Sequence, residues 1–166
     1  MKKGFSLVEL LIVLTVLAAL ISSVTIFAMN AIRKAKATQI SQNLKIIANS
    51  VESKLYLEGL DHLSEVSNLS YYGKNIGDNY KLYLVTKPSG EIMVNAVYNA
   101  LDVDAELLEE ILPDATTTSA DLHHELQAGE KYYRITSYVL QGIVAGTKVT
   151  IVPKDSIYLS KIIRLF

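Results

Sequence analysis

Half of the 166 residues are hydrophobic and a fifth are charged, so the chain has room for one domain of ordinary size plus an appendage. Sixteen Lys and Arg against seventeen Asp and Glu give a net charge of -1, which removes bulk charge as an argument for nucleic-acid binding. The sequence contains no cysteine, which excludes a disulfide framework, a thiolate metal site and a cysteine nucleophile.

The first feature along the chain is a long apolar run. No charged residue occurs from Leu10 to Ile32, and the polar residues between Leu10 and Met29 are Thr15, Ser22, Ser23 and Thr25. As a helix, about 20 such residues cross a bilayer core of about 30 Å. Basic residues flank the run on both sides, so charge does not set its orientation.

Glu9 is a carboxylate at the very start of this run. A charge near the bilayer is costly and normally has a partner, yet no basic residue follows within twenty-three positions. One interpretation is therefore a partner from elsewhere. The other is a capping box, because Ser6 and Glu9 have the Ser-x-x-Glu spacing that satisfies the first amides of a helix.

The leader Met1–Gly4, followed by Phe5-Ser6-Leu7-Val8-Glu9-Leu10, resembles the processing site of type IV pilins and pseudopilins. The resemblance implies that a prepilin peptidase cuts between Gly4 and Phe5 and that the new amine of Phe5 is methylated. It also implies that Glu9 pairs with the amine of a neighbouring subunit during assembly.

The same resemblance implies the partners and the location. We expect assembly with itself and other pilins, with an inner-membrane platform protein and an assembly ATPase as further partners. The precursor would cross the bacterial inner membrane once, with an extracytoplasmic head, before entering a pilus or pseudopilus. Two departures stand out: Ile26 replaces a proline and Ala18 replaces a glycine that many filament-forming members carry, which favours a straighter helix or a minor component.

Several alternatives remain open. Within the family the chain is a type IV pilus subunit, a type II secretion pseudopilin or a competence minor pilin, the pilus being slightly favoured. Outside it, the rivals are a single-pass membrane-anchored ligand-binding protein and a secreted enzyme released from a signal peptide. The uncharged run is long for a signal peptide, and no phosphate loop, nucleophile elbow or zinc-protease helix occurs.

Helical periodicity continues beyond the apolar run. An apolar stripe follows steps of three to five residues through Ile32, Ala35, Ile40, Leu44, Ile47, Val51 and Leu55. No proline interrupts residues 5–58, and Gly59 stands where a left-handed cap would end a helix. We predict four segments: a leader (1–4), an apolar transmembrane and assembly helix (5–32), its amphipathic continuation (33–58) and a globular head (59–166).

The head has the pattern of a small antiparallel sheet. The predicted strands are Tyr80–Thr86, Glu91–Tyr98, Tyr132–Leu140, Thr147–Val152 and Ile157–Ile163. The first two form a hairpin through Lys87–Gly90, and Ile92, Val94, Ala96 and Tyr98 share one face. The fold class is therefore α+β, with a long N-terminal helix packed on a small antiparallel sheet.

Between the hairpin and the later strands, Asp104–Leu112 reads as a short helix that Asp102 or Asp104 caps and Pro113 stops. Thr116–Ser119 reads as a loop. Residues 101–130 hold nine acidic and no basic side chains, whereas residues 131–166 hold six basic and one acidic. Such complementary patches order neighbouring subunits or solvate the surface, and solvation is favoured.

Two groups resemble metal sites. His123 and His124 are adjacent, and adjacent residues point to opposite faces of a strand or to different sides of a helix, so we expect exposed histidines. Asp102 and Asp104 lack a ring of oxygen ligands for calcium, and a helix cap explains them better. We therefore expect no catalytic residue, no metal, no cofactor and no specific nucleic-acid site.

Overall fold

The computed structural model describes residues 6–61, 63, 66, 68–74, 76–99, 102–135, 139–141 and 145–165, with the backbone alone at 139–141. It contains the helices α1 (Leu7–Glu58) and α2 (Ala105–Ile111) and a 3-10 turn, Leu69–Tyr71. The strands are β1 (Tyr80–Thr86), β2 (Glu91–Tyr98), β3 (Ala115–Thr118), β4 (Leu122–Glu125), β5 (Lys131–Ile135), β6 (Val139–Gln141), β7 (Lys148–Val152) and β8 (Ser156–Arg164). The predicted α+β class, with a long helix packed on a small antiparallel sheet, is confirmed.

The chain divides into two compact units, Met1–Lys36 and Ala37–Phe166. In the first unit, α1 is exposed on every side from Leu7 to Ala35. The large apolar side chains of this stretch range from 48% exposed at Leu17 to 80% exposed at Leu7. This stretch therefore has no core of its own.

In the second unit, α1 buries one face against a sheet. Its buried residues are Ala37, Ile40, Ser41, Leu44, Ile47, Ala48, Val51 and Leu55. The predicted stripe is thus confirmed from Ile40 onward, whereas Ile32 and Ala35 are exposed. The helix ends as predicted, because the Gly59 amide donates to the Leu55 carbonyl (3.0 Å) and Gly59 takes a positive φ of 70°.

The sheet has six antiparallel strands in the order β3-β8-β2-β1-β5-β6. The predicted hairpin is confirmed, with Tyr80 opposite Tyr98 and Thr86 opposite Ile92. Its turn closes where Gly90 takes a positive φ of 82°. The side chains of Ile92, Val94, Ala96 and Tyr98 lie together in the core with α1, as the alternation of β2 predicted.

Two predictions about the head are wrong. Thr116–Ser119 is not a loop, because Ala115–Thr118 pairs with β8 at the edge of the sheet. Tyr132–Leu140 is not one strand, because β5 and β6 pair antiparallel with each other. In the first case, pairing with a distant strand outweighs the weak local signal of a short stretch. In the second, the antiparallel pairing of β5 with β6 divides a stretch whose composition suits a strand throughout.

A second, two-stranded sheet of β4 and β7 covers the outer face of the main sheet. A smaller core lies between them, built from Tyr83, Val85, Val97, Leu126, Tyr132, Val149 and Val152. Here β4 holds His124, whose Nε2 lies 2.7 Å from Oε2 of the buried Glu130. The Gln127 amide donates to the same oxygen (2.9 Å), so this carboxylate fixes the segment that leads into β5.

The α1–sheet core generates a stability prediction. Leu44 is fully buried, whereas Ile46 is 47% exposed. We expect Leu44→Ala to lower the free energy of unfolding by about 2–5 kcal/mol, and Ile46→Ala by less than about 1 kcal/mol. Denaturant unfolding of the detergent-solubilised chain, followed by tyrosine fluorescence, measures both values. Equal losses would contradict the assigned face of α1.

Glu130 generates a pH prediction. Burial alone would raise the pKa of its carboxyl, but the hydrogen bonds from the Gln127 amide and the His124 ring, with the charge of Lys87, lower it below 4.5. A lowered pKa adds stability that is complete above pH 4.5 and is lost as the pH falls through the folded-state pKa. We expect Glu130→Gln to flatten the unfolding free energy between about pH 3 and 5. Glu125→Gln, at an exposed position of β4, is the control, and identical acid limbs for both variants would refute the assignment.

Candidate functional site at the amino-terminal end of α1

The side chain of Glu9 folds back on the first turn of α1. The Ser6 amide donates to Oε2 of Glu9 (2.9 Å), and the Leu10 amide donates to the Ser6 carbonyl (3.2 Å). Ser6 therefore occupies the cap position, with Glu9 three residues later, as in a capping box. The negative charge of Glu9 also lies at the helix end where the dipole favours it. Gly4 and Phe5 lie outside the described residues.

The hydroxyl groups of the apolar stretch are satisfied within the helix. Thr15 donates to the Ile12 carbonyl, and Ser22, Ser23 and Thr25 donate to carbonyls three or four residues earlier, at 2.8–3.2 Å. A hydroxyl bonded this way needs no partner from water or from another helix. The polar residues thus do not prevent this stretch from lying in hydrocarbon.

The helix runs without a break through Ala18 and Ile26, the two positions at which the sequence departs from many filament-forming members. Among the described residues, α1 is long and apolar enough to cross a membrane, by length and composition only. Glu9 is the one charged residue from Leu7 to Ile32. The first part of α1 therefore combines one carboxylate, which caps the helix, with an apolar surface that is exposed in the described chain.

The candidate metal residues have other roles. His123 and His124 lie on opposite sides of β4: the ring of His123 contacts Thr150 Oγ1 (3.3 Å), and His124 pairs with Glu130. His123 is exposed as expected, but His124 is half-buried, which corrects the prediction. Among the described residues, no group of three or more His, Cys, Asp or Glu side chains could hold a metal ion.

The two aspartates that were candidates for the cap of α2 have different roles in the structure. Asp104 caps the helix, accepting from the Leu107 amide (3.3 Å). Asp102 instead accepts from the Tyr98 hydroxyl (2.8 Å). Burial, reinforced by this hydrogen bond, raises the pKa of Tyr98 to about 12, so the hydroxyl stays protonated and remains a donor. The pair therefore anchors the segment before α2 to the end of β2.

Sequence reasoning missed the polar residues that tie the head to α1. Lys161 on β8 contacts Glu52 and Asn49 of the helix. A signal was present, because Lys161 lies two residues from both Leu159 and Ile163 and therefore on the same face of β8, which faces α1. A charged residue on an inward-facing register predicts a polar partner at that place. Glu130 had no comparable signal, since it lies in an irregular segment.

Comparison with known proteins bears on the amino-terminal end. Residues 1–25 match the family model described as the prokaryotic N-terminal methylation motif. No curated protein and no solved structure matches the chain significantly. The matched residues include Ser6, Glu9 and the first part of the exposed apolar helix. The chain therefore carries the prepilin signature of type IV pilins and pseudopilins, structural proteins that a prepilin peptidase processes and that self-assemble.

Proposed function

We propose that this protein is a structural subunit of a type IV pilus-like filament and is not an enzyme. One observation carries the proposal: the methylation motif of residues 1–25 opens a helix whose apolar side chains are exposed on all sides. Contiguous exposed apolar surface of this extent is unusual on a monomer and indicates a membrane or protein partner. In a pilin-like subunit the membrane covers this surface before assembly, and neighbouring helices cover it afterwards.

In this proposal the peptidase cuts between Gly4 and Phe5 and leaves a methylated amine on Phe5. The amine of one subunit pairs with Glu9 of a neighbour. A carboxylate in hydrocarbon without a counter-charge costs several kcal/mol, so a slipped neighbour that leaves both charges unpaired is disfavoured. The pair thereby sets the axial register of the subunits.

The remaining helix surface supplies the attraction between subunits. Helices in a bilayer associate through close packing rather than through the hydrophobic effect, because lipid tails are as apolar as the side chains. Internally bonded hydroxyls at Ser22 and Ser23 leave compact side chains at the surface there. We propose that residues 5–32 form the transmembrane and assembly helix, that 33–58 continue it and that 59–166 form an extracytoplasmic head.

The prepilin peptidase, an inner-membrane platform protein and an assembly ATPase are the proposed partners. Two other roles in the same group are alternatives, a type II secretion pseudopilin and a competence minor pilin. The unbroken helix through Ala18 and Ile26 favours them, because it lacks the residues that allow local unwinding in abundant filament subunits.

The rival from another class is a single-pass membrane-anchored ligand-binding protein. It is favoured by an open groove of about 420 Å³ in the head. The groove is lined by Lys45, Ala48, Asn49, Leu112, Asp114, Leu159, Ser160 and Lys161. Binding of a ligand in this groove does not require cleavage of the amino terminus, so the state of the amino terminus distinguishes the two proposals.

Mass spectrometry of the mature amino terminus tests the processing step. We expect a chain that begins at Phe5 and carries a methyl group on its amine. An intact Met1 in functional, membrane-bound protein would support the anchored ligand-binding protein instead. A start beyond the apolar run would indicate a cleaved signal peptide.

Substitution of Glu9 tests the pairing. Glu9→Gln keeps an oxygen that can accept from the Ser6 amide but removes the charge, whereas Glu9→Ala removes both. If the charge pair governs assembly, both variants lose incorporation into filaments by about tenfold or more, equivalent to about 1.4 kcal/mol. Quantitative immunoblots of sheared filaments measure the loss, with Glu125→Gln as the control. Wild-type assembly of Glu9→Gln with a defect in Glu9→Ala would assign Glu9 to capping alone.

A further inference from the structure

The strand β3 forms one edge of the main sheet. It pairs with β8 on one side, from Ala115 opposite Leu159 to Thr118 opposite Ser156. In the described chain no strand pairs with its other side. Edge strands present backbone groups that another strand can pair with, and proteins usually shield them. The outer side of β3 is therefore a surface whose backbone groups need another partner.

A side chain holds the central amide of this edge. Oε1 of Glu109, on α2, accepts from the Thr117 amide (3.2 Å) and from the Thr117 hydroxyl (2.9 Å). Thr117 and Glu109 are both outside the fully buried core. Because the Thr117 amide points to Glu109, it takes no part in the pairing with β8. An incoming carbonyl can therefore replace Glu109 without breaking the sheet.

An apolar notch lies beside the same edge. It has a volume of about 180 Å³ and is lined by Val103, Ala105, Thr117, Thr118, Asp155, Ser156 and Ile157. Ile157 belongs to the main core, and Val103 and Ala105 pack against it, so the notch opens on the face of the sheet that α2 covers. A strand added to β3 directs alternate side chains to this face. The notch has room for one aliphatic side chain of such a strand.

The charge around the edge is negative. Exposed carboxylates of Glu106 and Glu110 accompany Glu109 on α2, and Asp155 lies at the rim of the notch. Asp114 instead lines a groove with Lys45 and Lys161. No basic side chain occurs from residue 101 to 130. Two copies of this edge would repel each other, whereas a cationic segment would be attracted.

From these observations we propose that the outer edge of β3 binds an extended, positively charged peptide segment of a partner protein by strand addition. A carbonyl of the segment accepts from the Thr117 amide, an aliphatic side chain enters the notch, and the displaced Glu109 carboxylate pairs with a lysine or arginine of the segment. Glu109 closes the edge in the absence of the partner. This proposal does not depend on the proposed filament function.

The test uses the full chain, labelled with ¹⁵N, in micelles of a non-ionic detergent. The probe is a blocked seven-residue peptide with one central valine and lysine at the other six positions, so that lysines lie on both faces of the added strand. The matched probe replaces each lysine by glutamate. We expect the lysine peptide to shift the Thr117 amide resonance and to slow its hydrogen exchange. The glutamate peptide should bind at least tenfold more weakly.

Three variants make the test specific. Thr117→Pro removes the amide that faces Glu109 and suits an edge position, so it should weaken binding at least tenfold while the β8 resonances stay in place. Glu109→Gln keeps the acceptor but removes the charge and should weaken binding several-fold. Glu125→Gln removes a charge on β4 and should leave binding unchanged.

Three results would overturn the proposal. The first is a Thr117 amide whose resonance and hydrogen exchange do not change when the lysine peptide is added. Glu109 would then only shield the edge of the sheet. The second is wild-type binding by Thr117→Pro. The third is self-association of the chain through β3 without peptide, which would make a second copy the partner.

Discussion

The packing of one face of α1 against the sheet is the interaction on which the head depends. The helix residues Leu44, Ile47, Val51 and Leu55 lie in the same core as the inward side chains of β1 and β2. Burial of each such side chain contributes roughly 1.5–3 kcal/mol to the stability of the head. From Leu7 to Ala35 the apolar side chains of the same helix are exposed in the described chain, and lipid or other chains can bury them.

The features that could be predicted from sequence are those that local physics determines. The stripe from Ile40 to Leu55 follows from the helical period, and the end of α1 follows from the positive φ that glycine tolerates at Gly59. The β1–β2 hairpin follows from alternation around Lys87–Gly90, and the start of α2 follows from the cap at Asp104. Each signal lies within a few residues of the structure that it produces.

The features that could not be predicted depend on distant partners. The strands β3 and β4 are only four residues long, too short for local preference to decide, and they become strands because β8 and β7 offer edges to pair with. The β5–β6 pair needs a reversal that the aromatic and β-branched content of the segment does not reveal. At the candidate site, spacing was enough to predict the contact between Ser6 and Glu9, but it left the second role of Glu9 open, because a partner in another subunit leaves no pattern in one chain.

Capping and subunit pairing at Glu9 are compatible, and the first supports the second. The Ser6 amide contacts one carboxylate oxygen, Oε2, and a carboxylate can accept several hydrogen bonds through its two oxygens. The cap restricts the rotamers of Glu9, so the charge occupies a defined place in the first turn before any neighbour arrives. A charge that is already ordered loses less conformational entropy on pairing than a mobile one. In the proposed subunit, cleavage after Gly4 would create the amine on the residue directly before Ser6, so cap, carboxylate and new positive charge would all lie within a single helical turn.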